Sequence, residues 1–150
     1  MPFKHVHHVK VTVSDLDRSI AFYCNQLEFE LIYQADRENL ASYDTIMNMQ
    51  DVKLRIAMLT HSASGFMLAL IEFQNPPSVV REVKNNYVGP SSLALEVEDA
   101  RAEFDRLSAA GVMTMSGPTE IMREGRSVSI AFYFLDPDKI PIELWQALDS

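Results

Sequence analysis

Three side chains that can bind a metal ion occur in stretches whose other residues are typical of strands. His8 lies in the run "VHHVKVTV", and Glu72 and Glu143 lie inside the apolar runs "LALIEF" and "IPIELW". A buried carboxylate is costly unless it is paired or binds a metal. One imidazole and two carboxylates suit a divalent ion such as Zn, Ni, Mn, Co or Fe. The pattern therefore predicts that His8, Glu72 and Glu143 converge on a metal site.

A structural role is the competing interpretation for each of these residues taken alone. A glutamate on an edge strand can face solvent, and a strand histidine is commonly a hydrogen-bonded structural residue. Successive strand side chains point to opposite faces, so His7 and His8 have different surroundings. The occurrence of a glutamate near the end of each of two similar halves favours the site.

The positions of these residues depend on a pattern that occurs twice along the chain. Residues 6–15 and 90–99 alternate apolar and polar side chains in the same way. Each is followed by a run with helical spacing, "SDLDRSIAFYCNQL" or "DARAEFDRLSAAG", and then by three strand-like runs. "VMTMSGP" is the first of these strands in the second half. The sequence thus predicts an α+β fold with a repeated strand–helix–three-strand unit, in which Glu72 and Glu143 are equivalent.

One domain with two modules is the predicted organisation. Module one spans residues 1–75 and module two spans residues 90–150. Paired prolines and polar residues between them predict a linker over residues 76–89.

The overall composition excludes several classes of function. The chain of 150 residues is 47% hydrophobic and has a formal net charge of −8, with 21 acidic and 13 basic residues. Nucleic-acid-binding proteins concentrate lysine and arginine, so no nucleic-acid partner is expected. Apolar runs are too short to predict a membrane span. The single cysteine gives no sign of an oxidising compartment, and a cytoplasmic protein is expected.

The stretches "HHVKVTVSDLDRSIAFY", "LALEVED" and "FYFLDPDKIPIEL" resemble the vicinal oxygen chelate superfamily. This group includes glyoxalase I, bleomycin-resistance proteins and extradiol dioxygenases. The resemblance implies a glyoxalase-like fold in which two βαβββ modules form a cupped mixed β-sheet around a cavity. It also implies a homodimer and a small-molecule substrate or ligand.

The resemblance further implies that metal ligands come from the first and fourth strands of each module. Matched one at a time, these ligands are His8 and Glu72 in module one and Glu143 in module two. The remaining position falls on Ser92, where active members usually carry histidine. A neutral hydroxyl is a weaker ligand than imidazole for these ions, so Ser92 is a departure from the family pattern.

Three functions are compatible with this pattern. The first is a metal-dependent lyase or isomerase that chelates two oxygens of a small metabolite and stabilises an enolate or oxyanion, with Glu72 or Glu143 as catalytic base. The second is a metal-free protein, either a non-catalytic ligand-binding or resistance protein of the bleomycin-resistance type, or an enzyme that uses one of these carboxylates as base. The third is an extradiol-type dioxygenase, which is disfavoured because its usual facial triad needs two histidines.

Two further groups of residues are candidates for substrate selection. The segment 37–59 differs most from the family pattern and is expected at the mouth of the cavity. Arg37, Arg55, Arg123 and Arg126 are candidates for holding a substrate carboxylate, although a solvated surface role is the stronger expectation for each.

Overall fold

The structure is a computed structural model that describes residues 4–89 and 92–148. These residues form two compact units that divide the chain between Val80 and Arg81. The predicted module ends at residues 1, 90 and 150 lie outside the described residues. The predicted module and linker boundaries therefore stay a prediction.

The first unit is a four-stranded mixed sheet with two helices. Its strands lie in the order β1-β4-β3-β2, with β1 parallel to β4 and the other neighbours antiparallel. Its elements are β1 (Val9–Thr12), α1 (Leu16–Leu27), β2 (Phe29–Arg37), α2 (Ala41–Met47), β3 (Lys53–His61) and β4 (Met67–Asn75).

The second unit repeats this order without the short helix α2. Its strands lie in the order β5-β8-β7-β6, again with one parallel pair, β5 and β8. Its elements are β5 (Ala94–Glu96), α3 (Ala100–Ala109), β6 (Thr119–Arg123), β7 (Arg126–Leu135) and β8 (Pro141–Ala147). The predicted α+β class and the repeated βαβββ order are confirmed.

An aspartate side chain caps the N-terminus of the long helix in each unit. Asp15 accepts a hydrogen bond from the Arg18 N–H, and Asp99 accepts from the N–H groups of Arg101 and Ala102. These bonds satisfy first-turn donors that have no partner inside the helix. The N-cap of α1 is thus Asp15.

The helices give each sheet two distinct faces. Residues paired across neighbouring strands share a face, and the face alternates along each strand. Leu70, which pairs with Val11 and Ala57, lies on the face covered by α1, because Glu72, two residues further along β4, contacts the start of α1. In the second unit Phe132 stacks edge-to-face on Phe104 of α3. We call these covered surfaces the helix faces and the opposite surfaces the reverse faces.

The sixth strand begins later than the sequence pattern predicts. The predicted strand "VMTMSGP" covers residues 112–118, whereas β6 covers Thr119–Arg123. Within the earlier segment an isolated bridge joins Thr114 to Phe134. Gly117 and Pro118 separate this bridge from β6, because proline has no N–H to donate to a ladder.

Candidate functional site

Glu72 binds protein groups on the helix face of the first unit. Its Oε2 accepts a hydrogen bond of 2.7 Å from the backbone N–H of Leu16, the first residue of α1. The Nη1 atom of Arg55 lies 3.5 Å from the same oxygen, and the Glu72 side chain is only 18% exposed. The half-buried carboxylate is therefore stabilised by a helix N-terminus and a guanidinium.

Arg55 joins this carboxylate to a second one. Its guanidinium donates three hydrogen bonds, of 2.9, 3.1 and 3.1 Å, to the two carboxylate oxygens of Asp17, and its Nε lies 3.8 Å from Asp36. The hydrogen bond from Arg55 lowers the pKa of Asp17. These contacts make Arg55 a structural cation in the helix-face network, which argues against its predicted candidacy for holding a substrate carboxylate.

Gln146 occupies the corresponding position in the second unit. Its Oε1 accepts a hydrogen bond of 2.9 Å from the backbone N–H of Ala100, the first residue of α3. Leu16 and Ala100 each follow the capping aspartate of their helix. Glu72 is therefore equivalent to Gln146, and the predicted equivalence of Glu72 and Glu143 is wrong.

Ala69 is the true counterpart of Glu143. In the first unit Lys10 of β1 pairs with Ala69 of β4, and in the second unit Ala94 of β5 pairs with Glu143 of β8. Both pairs lie on the reverse face, because their neighbours Leu70 and Leu144 belong to the buried helix faces. The first unit thus carries a fully buried methyl group where the second carries a carboxylate.

The first-strand positions complete the reverse faces. His8 immediately precedes β1, and alternation places it on the same face as Lys10 and Ala69. The imidazole is exposed, and its Nδ1 lies 2.8 Å from the Nδ1 of His7. Glu72 is on the other face of this sheet, so the first unit does not bring His8 and Glu72 together.

Glu143 has a tyrosine partner that the sequence analysis missed. Tyr133 lies opposite Glu143 on β7, and its hydroxyl donates a hydrogen bond of 3.1 Å to Glu143 Oε2. Burial raises the pKa of Tyr133, and the hydrogen bond to Glu143 and its negative charge raise it further. A hydrogen bond with Ser92 acts in the opposite direction. Ser92, Tyr133 and Glu143 thus form one polar cluster, which we call the Glu143 cluster.

A signal for Tyr133 exists in the sequence. In the run "AFYFL" the two phenylalanines, Phe132 and Phe134, fall on one face and are almost completely buried. Alternation then puts the tyrosine on the opposite face, where its hydroxyl needs a polar partner.

The side chains at the expected ligand positions do not suit a metal ion. The family resemblance assigns ligands to the first and fourth strands, and these positions hold His8, Ala69, Ser92 and Glu143. A methyl group cannot bind a metal, and a neutral hydroxyl binds these ions weakly. Within residues 4–89 and 92–148, no three His, Cys, Asp or Glu side chains are gathered as a metal ion requires. The predicted meeting of His8 with Glu143, which lie in different units, stays a prediction.

A family model for the Glyoxalase/Bleomycin resistance protein/Dioxygenase superfamily matches residues 5–144. The chain belongs to this superfamily. Its membership confirms the resemblance that the sequence motifs indicated, and it agrees with the two βαβββ units described above.

Relatives of this superfamily member align along nearly its whole length. Protein YwkD of Bacillus subtilis is 26% identical over 97% of this chain and 99% of its own. A 2-epi-5-epi-valiolone epimerase from an Actinomyces species is 30% identical over 93% of this chain and 77% of its own. The crystal structure of a glyoxalase family protein from Bacillus cereus superposes with a TM-score of 0.82, at 21% identity and 99% coverage of both chains.

Residues 4–89 and 92–148 contain no helix with the length and hydrophobicity of a membrane span. The cytoplasmic location and the homodimer stay predictions.

Proposed function

We propose that the chain binds a small oxygenated molecule on the reverse face of its second unit and does so without a resident metal ion. The observation that carries this proposal is the hydrogen bond of 3.1 Å between Tyr133 and Glu143. It supplies a polar anchor built from protein groups alone. Tyr133 offers an acceptor oxygen and Glu143 offers carboxylate oxygens, so both can orient a ligand hydroxyl or amine.

The donor set supports this choice over the metal-dependent lyase or isomerase. That first function requires an ion that holds two substrate oxygens, and the ligand positions of this chain include Ala69 and Ser92. Only His8 and Glu143 retain side chains that bind such ions well. The same departure disfavours the dioxygenase, whose triad needs a second histidine. The ligand-binding or resistance-type protein is the function that these residues support best.

Metal-free proton transfer is the second candidate. Glu143 is a half-buried carboxylate that accepts a hydrogen bond from the Tyr133 hydroxyl. This arrangement is suited to removing a proton from a bound molecule and returning it. The relative named as an epimerase supports this class, because epimerisation at a carbon beside a carbonyl needs such a proton transfer. In this candidate Glu143 takes the proton and Tyr133 orients the carboxylate.

Metal analysis of the purified protein tests the proposal. We expect less than stoichiometric Zn, Ni, Mn, Co or Fe per chain, and no saturable uptake of these ions in calorimetric titrations. Ligand-binding signals should be unchanged by EDTA. One tightly held ion per chain, lost in both the His8→Ala and Glu143→Ala variants, would contradict the proposal and restore the metal-dependent enzyme.

Isotope exchange separates the two metal-free candidates. A molecule that only binds keeps its carbon-bound hydrogens when incubated with the protein in deuterium oxide. Proton transfer by Glu143 would replace one of them with deuterium, which NMR detects. This exchange should then disappear in the Glu143→Gln variant and be slowed in the Tyr133→Phe variant.

A further inference from the structure

We propose that the ligand of the Glu143 cluster is an apolar molecule that carries a hydrogen-bond donor, either a hydroxyl or an amine, and that it is not an anion. This inference rests on the proposed function and adds the chemical class of the ligand. It is carried by the charges and the apolar side chains that surround Glu143 on the reverse face.

The strand register fixes which residues neighbour Glu143 on this face. Tyr133 pairs with it on one side and Ala94 on the other. Beyond Tyr133, the backbone N–H of Met115 donates a hydrogen bond of 2.8 Å to the Tyr133 carbonyl. Alternation from the Thr114–Phe134 bridge puts the Met115 side chain on the reverse face. Glu143 thus lies in the middle of a row whose outer members are a methyl group and a thioether.

The adjoining rows are mostly apolar. Trp145 follows two residues along β8 and pairs with Ala131, so both share the face of Glu143. Met113 lies two residues before Met115, and the two methionine side chains are 61% and 47% exposed. Methionine is flexible and polarizable, so it can adapt to the shape of an apolar ligand. The cluster is therefore one polar anchor within an apolar surface.

The charges on this face disfavour an anionic ligand. Glu143 is a carboxylate, and the next acidic residue is Glu96, which pairs with Trp145. Over the described residues, the positions paired with Glu143 and Trp145 on neighbouring strands include no lysine or arginine. Arg123 and Arg126 pair with each other at the end of the β6–β7 hairpin, and both are exposed. A ligand carboxylate would meet Glu143 without a counter-ion from these strands, whereas a donor would be attracted.

The single tryptophan of the chain gives a direct signal for occupation of this surface. Trp145 is the only tryptophan among the 150 residues. It is two residues from Glu143 on the same strand face. A ligand seated on Glu143 is therefore expected to change the intensity or wavelength of tryptophan emission.

Three probes that share one aromatic ring test the inference. 2-Phenylethylamine, 2-phenylethanol and phenylacetate are titrated into the wild-type protein and into the Glu143→Gln variant, and Trp145 emission is followed. We expect the amine and the alcohol to bind at least about tenfold more tightly than the carboxylate, because a charge-assisted hydrogen bond contributes at least this factor. Glu143→Gln should weaken amine binding by about tenfold and alcohol binding by less.

Glu96→Gln is the matched control, since it removes an acidic charge from the same face one row away from Glu143. Its amine affinity should stay within about twofold of wild type because exposed charges interact weakly. Circular dichroism and melting temperature establish that each variant is folded.

The outcomes separate the inference from the proposed function. If phenylacetate binds most tightly and Glu143→Gln or Tyr133→Phe alters its binding, the ligand class is wrong but the site stands. Equal loss of amine binding in Glu96→Gln and Glu143→Gln would likewise overturn the inference, because only overall charge would matter. If Trp145 responds to none of the probes and calorimetry finds binding that neither Glu143→Gln nor Tyr133→Phe changes, both the inference and the proposed function fail.

Discussion

The two units share one order of strands and helix but use their fourth strands differently. In the first unit Glu72 of that strand faces the helix, and the reverse-face position that corresponds to Glu143 is Ala69. In the second unit Gln146 faces the helix and Glu143 occupies the reverse face. The difference teaches that a glutamate in an apolar run acquires its role from its register in the sheet.

The helix faces differ in charge as well. Arg55 of β3 bonds Asp17 of α1 in the first unit, whereas in the second unit an arginine of α3, Arg101, lies 3.3 Å from Glu120 of β6. The arginine thus comes from the strand in one unit and from the helix in the other. In the second unit the contacts between helix and sheet include a hydrogen bond to a neutral amide, Gln146, and the exposed ion pair of Arg101 with Glu120.

The largest expected effect comes from giving the first unit the carboxylate of the second. Ala69→Glu places an unpaired charge at a fully buried position and should lower the free energy of unfolding by more than about 3 kcal/mol. Urea denaturation measures this change, and Ala69→Val controls for added volume. Full recovery of stability on adding Zn²⁺ would contradict the comparison, because it would mean that the position still belongs to a metal site.

A smaller loss is expected when the helix-binding carboxylate of the first unit is removed. Glu72→Ala leaves the Leu16 N–H without its acceptor and Arg55 without one of its partners, and should cost about 2 kcal/mol in urea denaturation. Glu72→Gln copies the residue of the second unit, keeps an acceptor oxygen and should cost less than half as much. Equal losses in the two variants would mean that the charge, rather than the acceptor, stabilises α1.

The corresponding change in the second unit should be milder. Gln146→Ala removes one neutral hydrogen bond to the Ala100 N–H and should cost about 1 kcal/mol in the same assay. Gln146→Glu places the first-unit residue next to the N-terminus of α3. Its stability should equal or exceed that of the wild type, because a carboxylate is favoured at a helix N-terminus. A cost for Gln146→Ala larger than that of Glu72→Ala would reverse the proposed ranking of the two units.

The smallest expected effect is on how the free energy of unfolding changes at acid pH. It compares an aspartate of the first unit with one of the second. The hydrogen bond from Arg55 lowers the pKa of Asp17, so the unfolded chain binds this proton more readily than the folded protein. The stabilising contribution is therefore complete above the ordinary carboxyl pKa, and it is lost as the pH falls from there through the lowered pKa of Asp17 in the folded protein. Asp17→Asn should flatten the acid side of the stability–pH curve, and Asp105→Asn, at an exposed site on α3, controls for the removal of one carboxylate.

Much of the fold was predictable because it depends on local spacing. Alternating valines and leucines, helical periodicity and the aspartates before α1 and α3 determine the elements and their faces. The short helix α2 escaped prediction because none of its residues is fully buried, so its sequence lacks a strong apolar face. Its Tyr43 and Met47 pack on Leu54 and Ile71, which lie on other elements.

The site was only partly predictable for a different reason. Glu143 follows from a carboxylate in an apolar strand, and strand alternation gives Tyr133 its face. Glu72 appears in the same kind of run, yet its partner Leu16 is 56 residues away along the chain. Only the three-dimensional pairing of β4 with β1 reveals that Ala69 holds the family position.

The bonds from Glu72 and Gln146 to the helix starts have a consequence for amide exchange with solvent deuterium. First-turn amides of a helix ordinarily exchange fast because no carbonyl of the same helix protects them. Here the amides of Leu16 and Ala100 are held by side chains of the last strand of their own unit. The exchange rates of these two amides, followed by NMR, therefore report separately on how often each unit opens.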